Sequence, residues 1–316
     1  MQIVLLDLDA VPADLAELRQ IAPCREYRFT SPTELIGRCQ EVDVVVTANV
    51  ALTAAAMRKM PNLELVVVVG PSLERIDLAF CHEAGIAVRN CDGYAEVGLA
   101  EHAVALMLSL SRQLPGPFCG VASLALAEAS QLNMPAQDLR GQVLGLVGTG
   151  TMGRSLARLA KAMCMQVVHA ERKHAVSVRD GYVRFQDALA TCDVLSLHCI
   201  LTPETAGMLG RAEFAAMKRG ALLINTAHGA LVQLGPLRQA LQDGCLGGAG
   251  LDCDLNDLGE LTRQDSAIPP HLIITPRVAH RSSSSRKRLG EMLVEQIRSH
   301  LCANGKERST ANQNPL

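Results

Sequence analysis

Short apolar runs alternate with segments of helical periodicity along most of the chain. In its first part, four apolar runs predict strands at residues 3–6, 44–47, 65–69 and 86–88. Segments near residues 13–21, 32–39, 53–60 and 78–84 place apolar side chains at helical spacing and predict helices between those strands. Because strands that alternate with helices pair in parallel through helical crossovers, this pattern predicts an α/β sheet.

The same alternation restarts more sharply after Gly141. Six runs predict strands at residues 143–147, 166–170, 194–198, 221–225, 248–252 and 272–275, as in a doubly wound Rossmann sheet. A last helical pattern around residues 289–301 is predicted to return to the first sheet. The sequence therefore predicts a Rossmann domain of residues 99–281 inserted into a discontinuous flavodoxin-like domain of residues 1–98 and 282–316.

Two segments between these patterns have their own predictions. Residues 101–110 form a helical pattern that is apolar nearly all round, so we expect this helix to pack at a domain or subunit interface. Residues 115–135 are weakly patterned and are predicted to be a connection, while the polar tail after Cys302 is predicted to be frayed.

Composition excludes several classes of protein. The chain has 316 residues, 48% of them hydrophobic, and a net charge of −2 without a basic stripe, which disfavours direct binding of nucleic acid. No apolar run approaches the roughly 20 residues of a membrane span, and the first residues read as a strand rather than an export signal. The eleven cysteines lack CxxC spacing, so we expect reduced thiols in the cytoplasm rather than disulfides or a metal site.

A glycine motif follows the predicted strand at residues 143–147. Gly148, Gly150 and Gly153 have the spacing GxGxxG, and Thr151 and Met152 open the helical pattern that follows. In such a motif the first glycine makes a tight turn, the second lets a pyrophosphate approach the backbone, and the third allows close packing of helix and strand. The motif predicts dinucleotide binding; the alternative is a structural glycine turn.

An acidic residue follows the next predicted strand. Glu171 lies 18 residues after Gly153, where a carboxylate can accept hydrogen bonds from the adenosine ribose and repel a 2′-phosphate. This position favours NAD over NADP. The neighbouring Arg172 and Lys173 could instead pair with a phosphate, so both cofactors stay open at this point.

Six ordered segments resemble the D-isomer specific 2-hydroxyacid dehydrogenase family, which includes phosphoglycerate dehydrogenases, glyoxylate/hydroxypyruvate reductases and the C-terminal-binding-protein corepressors. They are residues 99–103, 139–148, 197–205, 217–227, 248–252 and 274–276. The resemblance implies an NAD(H)-dependent oxidoreductase acting on a small carboxylate, a 2-oxo or 2-hydroxy acid. It also implies that both chain ends form the substrate domain and that a homodimer forms through the nucleotide domains.

The resemblance also implies roles for individual residues. Asp252 would hold the nicotinamide carboxamide, and the loops after Cys199 and Thr226 would line the cofactor. The predicted cofactor-binding residues beyond the glycine motif are Glu171, Arg172, His198, Cys199, Thr205, Thr226, Ala227 and Asp252. The predicted substrate-binding residues are Gly70, Ser72, Leu73 and Arg75, in a loop where the family has a glycine-rich stretch. Pro71 in this loop has no N–H to offer a carboxylate.

The predicted catalytic residues depart from the family pattern at all three positions. His228 stands where the family has an arginine, Asp257 where it has a glutamate, and Arg277 where it has a histidine. Each follows a predicted strand, at the edge where doubly wound sheets bind ligands. An imidazole, a carboxylate and a guanidinium at one edge could still support proton transfer and carboxylate binding.

Three hypotheses follow from these departures. In the first, the chain is an oxidoreductase with exchanged roles, in which Arg277 binds the substrate carboxylate and His228 is the general acid or base; His280 is a second candidate proton donor. In the second, it is a catalytically inactive NAD-binding sensor or interaction scaffold. In the third, it is an enzyme for a different carboxylate, with a pocket rebuilt around Glu74, Arg75, His228 and Arg277.

Overall fold

The fold is described from a computed structural model that covers residues 1–11, 13–70, 72–114, 136–253 and 271–303. The chain divides into two compact units: unit 1 contains Met1–Ala95 and the chain from Arg281, and unit 2 contains Glu96–His280. The predicted boundaries lie at 98/99 and 281/282. The assignment of substrate to unit 1 remains a prediction.

The described residues of unit 1 form a five-stranded parallel sheet in the order β2-β1-β3-β4-β5, which is the flavodoxin-like order. Its strands are β1 (Ile3–Leu5), β2 (Cys24–Glu26), β3 (Val44–Thr47), β4 (Leu65–Val69) and β5 (Ala87–Cys91). Its first helices are α1 (Leu18–Ile21), α2 (Pro32–Cys39), α3 (Ala54–Met57) and α4 (Leu78–Ala84). β3 and β4 are buried along their whole length, which explains their continuous apolar sequences.

The end of the chain completes unit 1. The last helix, Ser283–Ala303, is α10 in chain order, and its residues Leu289 and Leu293 are buried against Ile3 and Leu5 of β1. Alternate residues of β1 face the opposite layer, where they pack with α2 and α3. The predicted return of the chain to the first sheet is therefore confirmed.

The described residues of unit 2 form a seven-stranded parallel sheet in the order β12-β11-β10-β9-β6-β7-β8. Its strands are β6 (Val143–Val147), β7 (Gln166–Ala170), β8 (Tyr182–Val183), β9 (Val194–Leu197), β10 (Ala221–Asn225), β11 (Leu246–Asp252) and β12 (Leu272–Thr275). Its helices are α5 (Glu96–Ser111), α6 (Thr151–Ala162), α7 (Phe185–Thr191), α8 (Arg211–Ala216) and α9 (Leu234–Gln242). The chain leaves β6 in one direction and returns to β9 on the other side, so a switch point lies between β6 and β9, and the predicted Rossmann sheet is confirmed.

Helices cover both faces of this sheet. α5 and α6 pack on one face around Leu144 and Leu146, and α7, α8 and α9 pack on the other. Most of the apolar surface of α5 is used within unit 2, while its Val97 and Leu108 are exposed. The predicted contact of this helix with another domain or subunit remains a prediction.

Three short elements differ from the sequence-based expectations. β2 and β8 were not predicted, because they are brief edge strands of half-buried or exposed residues without an apolar run. The helix predicted at residues 13–21 is wrong in extent, since α1 begins only at Leu18. Before it, the Asp14 carboxylate accepts a hydrogen bond from the Ala16 N–H at 3.1 Å, a local turn that competes with helix.

The predicted connection at 115–135 and most of the tail lie outside the described residues. No helix in the described ranges is long and apolar enough to cross a membrane.

Candidate active site

The carboxyl ends of neighbouring strands bring several predicted residues to one edge of the unit 2 sheet. Gly148 follows β6, His198 follows β9, Thr226 follows β10, and Asp252 ends β11. Arg277 lies two residues after the end of β12. In open parallel sheets this edge, next to the switch point, is where ligands bind.

The three glycines of the motif have the geometry that a dinucleotide pyrophosphate requires. Gly148 has φ +93°, and a Cβ there would lie 2.6 Å from the Cys199 backbone nitrogen. A Cβ on Gly153 would lie 2.2 Å from the Gly148 carbonyl oxygen, so the helix can approach the turn only without one. A Cβ on Gly150 would meet nothing within 4 Å, leaving open space in front of the first turn of α6. These features fit a pyrophosphate bound by backbone N–H groups.

Two further polar side chains lie at this edge, of which Thr226 is buried and His198 is half-buried. Thr226 is 5% exposed, and its hydroxyl oxygen has no hydrogen-bond partner among the described residues. Such an oxygen is costly to bury unless a ligand or water satisfies it, which fits its predicted place beside the cofactor. The His198 ring pairs through Nε2 with the Ser196 hydroxyl at 2.8 Å, and burial lowers its pKa to about 4, so this imidazole is neutral.

Two predicted cofactor-lining residues have contacts within their own loop. Burial raises the pKa of the Cys199 thiol to about 11, so this side chain is a neutral thiol at ordinary pH. The Thr205 hydroxyl donates to the Ile200 carbonyl at 2.8 Å and accepts from the Thr202 N–H at 2.7 Å. These contacts shape the loop after β9; cofactor contact by either residue remains a prediction.

His228 is half-buried at the start of a 3₁₀ turn, Gly229–Leu231. Its Nδ1 accepts a hydrogen bond from the Ala230 N–H at 3.2 Å. Because Nδ1 is the acceptor, the proton of the neutral ring lies on Nε2, which can donate a hydrogen bond. Asn225 holds this loop, since its amide donates to the His228 carbonyl at 2.8 Å and its Oδ1 accepts from the Ala227 N–H at 3.1 Å. Sequence reasoning missed Asn225, whose only signal was a polar residue ending a buried strand.

Asp252 builds the loop that presents Arg277. The buried carboxylate accepts hydrogen bonds from the Thr275 hydroxyl at 2.6 Å, the Val278 N–H at 2.9 Å and the Ala279 N–H at 3.0 Å. Arg277 itself is exposed and has φ +47°, a left-handed conformation that non-glycine residues rarely adopt. The described contacts of Asp252 are therefore with this loop, and a contact with the nicotinamide remains a prediction.

Thr275 also connects the loop to α5. His102 lies with Nε2 2.9 Å from the Thr275 hydroxyl and 3.9 Å from the nearer Asp252 carboxylate oxygen. This imidazole therefore supports the loop structurally.

Glu171 follows β7 as predicted, but its carboxylate already has partners within the chain. Arg179 donates to it from Nε at 2.6 Å and Nη2 at 2.8 Å, and the Arg172 N–H donates at 2.8 Å. The Arg179 hydrogen bond is the largest of the effects that lower the pKa of Glu171 to about 2. No pattern in the sequence indicated Arg179, which the turn before β8 brings to Glu171. Lys173, the other predicted phosphate partner, pairs with Glu213 at 2.8 Å.

The predicted substrate loop follows β4 in unit 1. Gly70 has φ +116°, and its N–H donates to the Cys91 carbonyl at 3.0 Å. Ser72 and Arg75 are exposed and Leu73 is half-buried. Pro71 and the predicted catalytic Asp257 lie outside the described residues.

The glycine turn after β6, the switch point beside it, the buried Thr226 hydroxyl and the neutral His198 ring define a dinucleotide-dependent Rossmann protein. A sequence profile of the D-isomer specific 2-hydroxyacid dehydrogenase family, NAD binding domain, matches residues 104–279. The chain is 33% identical to a glycerate dehydrogenase of Methylorubrum extorquens, over 94% of this chain and 95% of that protein. The chain belongs to the D-isomer specific 2-hydroxyacid dehydrogenase family and is an NAD-dependent oxidoreductase.

Solved structures agree with this assignment. The crystal structure of the TT0316 protein from Thermus thermophilus is similar with a TM-score of 0.78 and 29% identity, covering 96% of this chain and 97% of that one. A D-lactate dehydrogenase from Aquifex aeolicus, crystallised with NAD and lactic acid, has a TM-score of 0.72 and 25% identity, covering 97% of this chain and 96% of that one.

Proposed function

We propose that this chain transfers a hydride between NAD(H) and a small 2-oxo or 2-hydroxy acid, with histidine and arginine in exchanged roles. His228 would exchange the proton with the substrate oxygen, and Arg277 would bind the substrate carboxylate. The observation that supports this most strongly is the hydrogen bond from the Ala230 N–H to His228 Nδ1, because it orients the ring and leaves Nε2 as the nitrogen that can contact a substrate oxygen.

The positions of the two residues in the sheet are compatible with one small substrate. His228 follows β10 and Arg277 follows β12, with β11 between them. Two strand spacings amount to about 10 Å, which two long side chains can span around a small acid. The guanidinium of Arg277 offers parallel N–H groups to a carboxylate.

Bound NADH supplies the hydride when a 2-oxo acid is reduced. The chain's own residues bind, orient and protonate: the glycine turn and the first turn of α6 receive the pyrophosphate, and Thr226 offers its hydroxyl to the cofactor or substrate. In reduction, His228 as the imidazolium would give its Nε2 proton to the carbonyl oxygen and become a neutral ring that keeps its proton on Nδ1; in oxidation, that neutral ring would take the hydroxyl proton on Nε2. Nδ1 carries a proton in both states, so the Ala230 N–H must leave Nδ1 during turnover. The carboxylate-binding roles of Gly70, Ser72, Leu73 and Arg75, and an orienting role of Asp257, belong to this proposal.

The proposal is tested by following NADH oxidation against a panel of 2-oxo acids. His228→Ala should lower kcat by about 10²–10⁴-fold while NADH affinity is retained. Arg277→Lys should chiefly raise KM, because it removes the guanidinium fork. His174→Ala removes an exposed histidine of the same unit and should leave both constants unchanged.

Tight NADH binding without turnover on any acid would contradict the proposal and support the alternative of an inactive NAD-binding sensor or scaffold. In that case the double variant His228→Arg with Arg277→His is informative. Activity gained by it would identify the exchange itself as the cause of the inactivity.

Two properties of the whole protein also belong to the proposal. A homodimer through unit 2 is supported by the exposed apolar residues Val97 and Leu108, which lie 11 positions apart and so on one face of α5. A cytoplasmic location is supported by the ten cysteines of the described ranges, which are reduced rather than joined in disulfides, as in proteins of reducing compartments.

A further inference from the structure

The Glu171 carboxylate, which is predicted to face the adenosine ribose, has its charge compensated within the chain. It is 3% exposed and accepts two hydrogen bonds from the Arg179 guanidinium, with further donation from the backbone N–H groups of Arg172 and Arg179. A carboxylate in a bidentate pair with a guanidinium repels a second anion far less than an unpaired carboxylate does.

Arg179 is held in place from its other side. Its guanidinium carbon lies 3.9 Å from the centre of the Tyr182 ring, a stacked cation–π contact. The Tyr182 hydroxyl in turn forms a short hydrogen bond with the hydroxyl of Thr149, inside the glycine motif. A continuous set of contacts therefore connects the guanidinium to the pyrophosphate-binding turn.

The guanidinium nevertheless has capacity for another acceptor. Of the five N–H groups of an arginine side chain, Glu171 uses two, so three remain. The Arg179 side chain is 55% exposed, and that of Glu171 only 4%. An approaching ligand therefore meets the cation before the anion.

The two other basic residues beside Glu171, Lys173 and Arg172, differ in whether the side chain is already paired within the chain. Lys173 is occupied by Glu213 and by the Met208 carbonyl, at 2.8 Å each. The Arg172 side chain is exposed and has no hydrogen-bonding or ion-pair partner among the described residues. The four side chains Glu171, Arg172, Lys173 and Arg179 sum to a charge of +2, and inclusion of Glu213 reduces it to +1.

We propose that this subsite accepts the 2′-phosphate of NADPH as well as the 2′-hydroxyl of NADH, and that Arg179 is the specificity-determining residue. The proposal depends on the proposed function only in placing the dinucleotide at the glycine turn. Arg179 would keep its pair with Glu171 and use its remaining N–H groups to bind the phosphate, with Arg172 adding a second positive charge. With NADH, the same pair would face the ribose hydroxyls.

The test is a comparison of dissociation constants for NADH and NADPH, read from nicotinamide fluorescence, which no tryptophan obscures because the chain has none. The unaltered chain should bind the two within about tenfold of each other, whereas an unpaired acid would favour NADH by a hundredfold or more. Arg179→Ala should weaken NADPH by about tenfold or more, because it removes a charge-assisted contact and leaves Glu171 unpaired. NADH affinity should change by less than about threefold.

Two further variants and a change of salt concentration test whether the guanidinium of Arg179 itself binds the phosphate. Arg219→Ala removes the same charge from an exposed arginine at the opposite edge of the sheet and should change neither constant. Arg179→Lys keeps the positive charge but loses the forked guanidinium, so its affinity for NADPH should lie between that of the unaltered chain and that of Arg179→Ala. Added salt should weaken NADPH more than NADH, because the phosphate contact is charged and exposed.

A preference of the unaltered chain for NADH by more than a hundredfold would overturn the proposal. Equal weakening of both cofactors by Arg179→Ala and Arg179→Lys would do the same, since it would assign Arg179 a purely structural role. Absence of turnover contradicts the proposed function but leaves these binding constants measurable, so the two failures are distinguishable.

Discussion

Alanine at Gly150 should weaken cofactor binding and leave stability nearly unchanged, whereas alanine at Gly153 should lower the stability of the fold. At Gly150 the backbone has φ −65°, which alanine adopts without strain, and the added methyl meets no atom within 4 Å. At Gly153 the methyl carbon would lie 2.2 Å from the Gly148 carbonyl oxygen, below the 3.0 Å that real Cβ atoms keep. The first methyl therefore enters only the space assigned to the pyrophosphate, while the second forces α6 away from the turn.

The magnitudes follow from these contacts. Gly150→Ala should leave the free energy of unfolding within about 1 kcal/mol of the unaltered chain, and it can be slightly stabilising because alanine restricts the unfolded state. Gly153→Ala should cost about 1–3 kcal/mol or more, as overpacking in a well-packed region does, and should lower Tm by several degrees. Gly150→Ala should nevertheless weaken NADH binding by at least tenfold, since the added methyl prevents the pyrophosphate from approaching the backbone closely.

Thermal unfolding with and without NADH separates the two effects. Gly150→Ala should unfold at the unaltered temperature without cofactor but lose most of the stabilisation that NADH gives. Gly141→Ala is a useful comparison for strain alone, because φ there is +81° with no atom within 4 Å of the added methyl. Normal NADH affinity of Gly150→Ala would refute the assignment of that open space to the pyrophosphate.

Three further predictions concern charge and association. The pKa of Glu171 is lowered from 4.5 to about 2 in the folded chain, so its contribution to stability is present above pH 4.5 and is lost as the pH falls toward 2. In the Glu171→Gln variant, the free energy of unfolding, measured by denaturant titration at each pH, should therefore fall less between pH 4.5 and pH 2. Asp252→Asn should cost about 1–3 kcal/mol and lower kcat, because one oxygen cannot accept all three hydrogen bonds of the Arg277 loop; an unchanged Tm and kcat would contradict this. Leu108→Glu should shift the mass measured by light scattering from dimer to monomer, whereas the control Ala190→Glu, which adds the same charge at an exposed position of α7, should not; a mass unchanged by Leu108→Glu would place the interface elsewhere.

The sequence by itself determined the parts of this protein that depend on local pattern. The central strands β3 and β4 are continuous apolar runs, and the glycine motif lies between a strand and a helix within a few residues. Both features follow from interactions between near neighbours in the chain, so periodicity and spacing were sufficient to predict them. The departures at His228 and Arg277 were also visible without a structure.

Tertiary structure alone decided which polar groups pair. Sequence identified Glu171 as a carboxylate after β7, but folding placed the Arg179 guanidinium against it and changed its electrostatic character. Asp252 acquires donors from the loop after β12, and His102, which supports that loop, lies 173 residues from Thr275 in the chain. Hydrogen bonds are short and directional, so a polar group pairs only with a group that the folded backbone brings close to it in space. The spacing of residues along the sequence does not show which groups will be brought together.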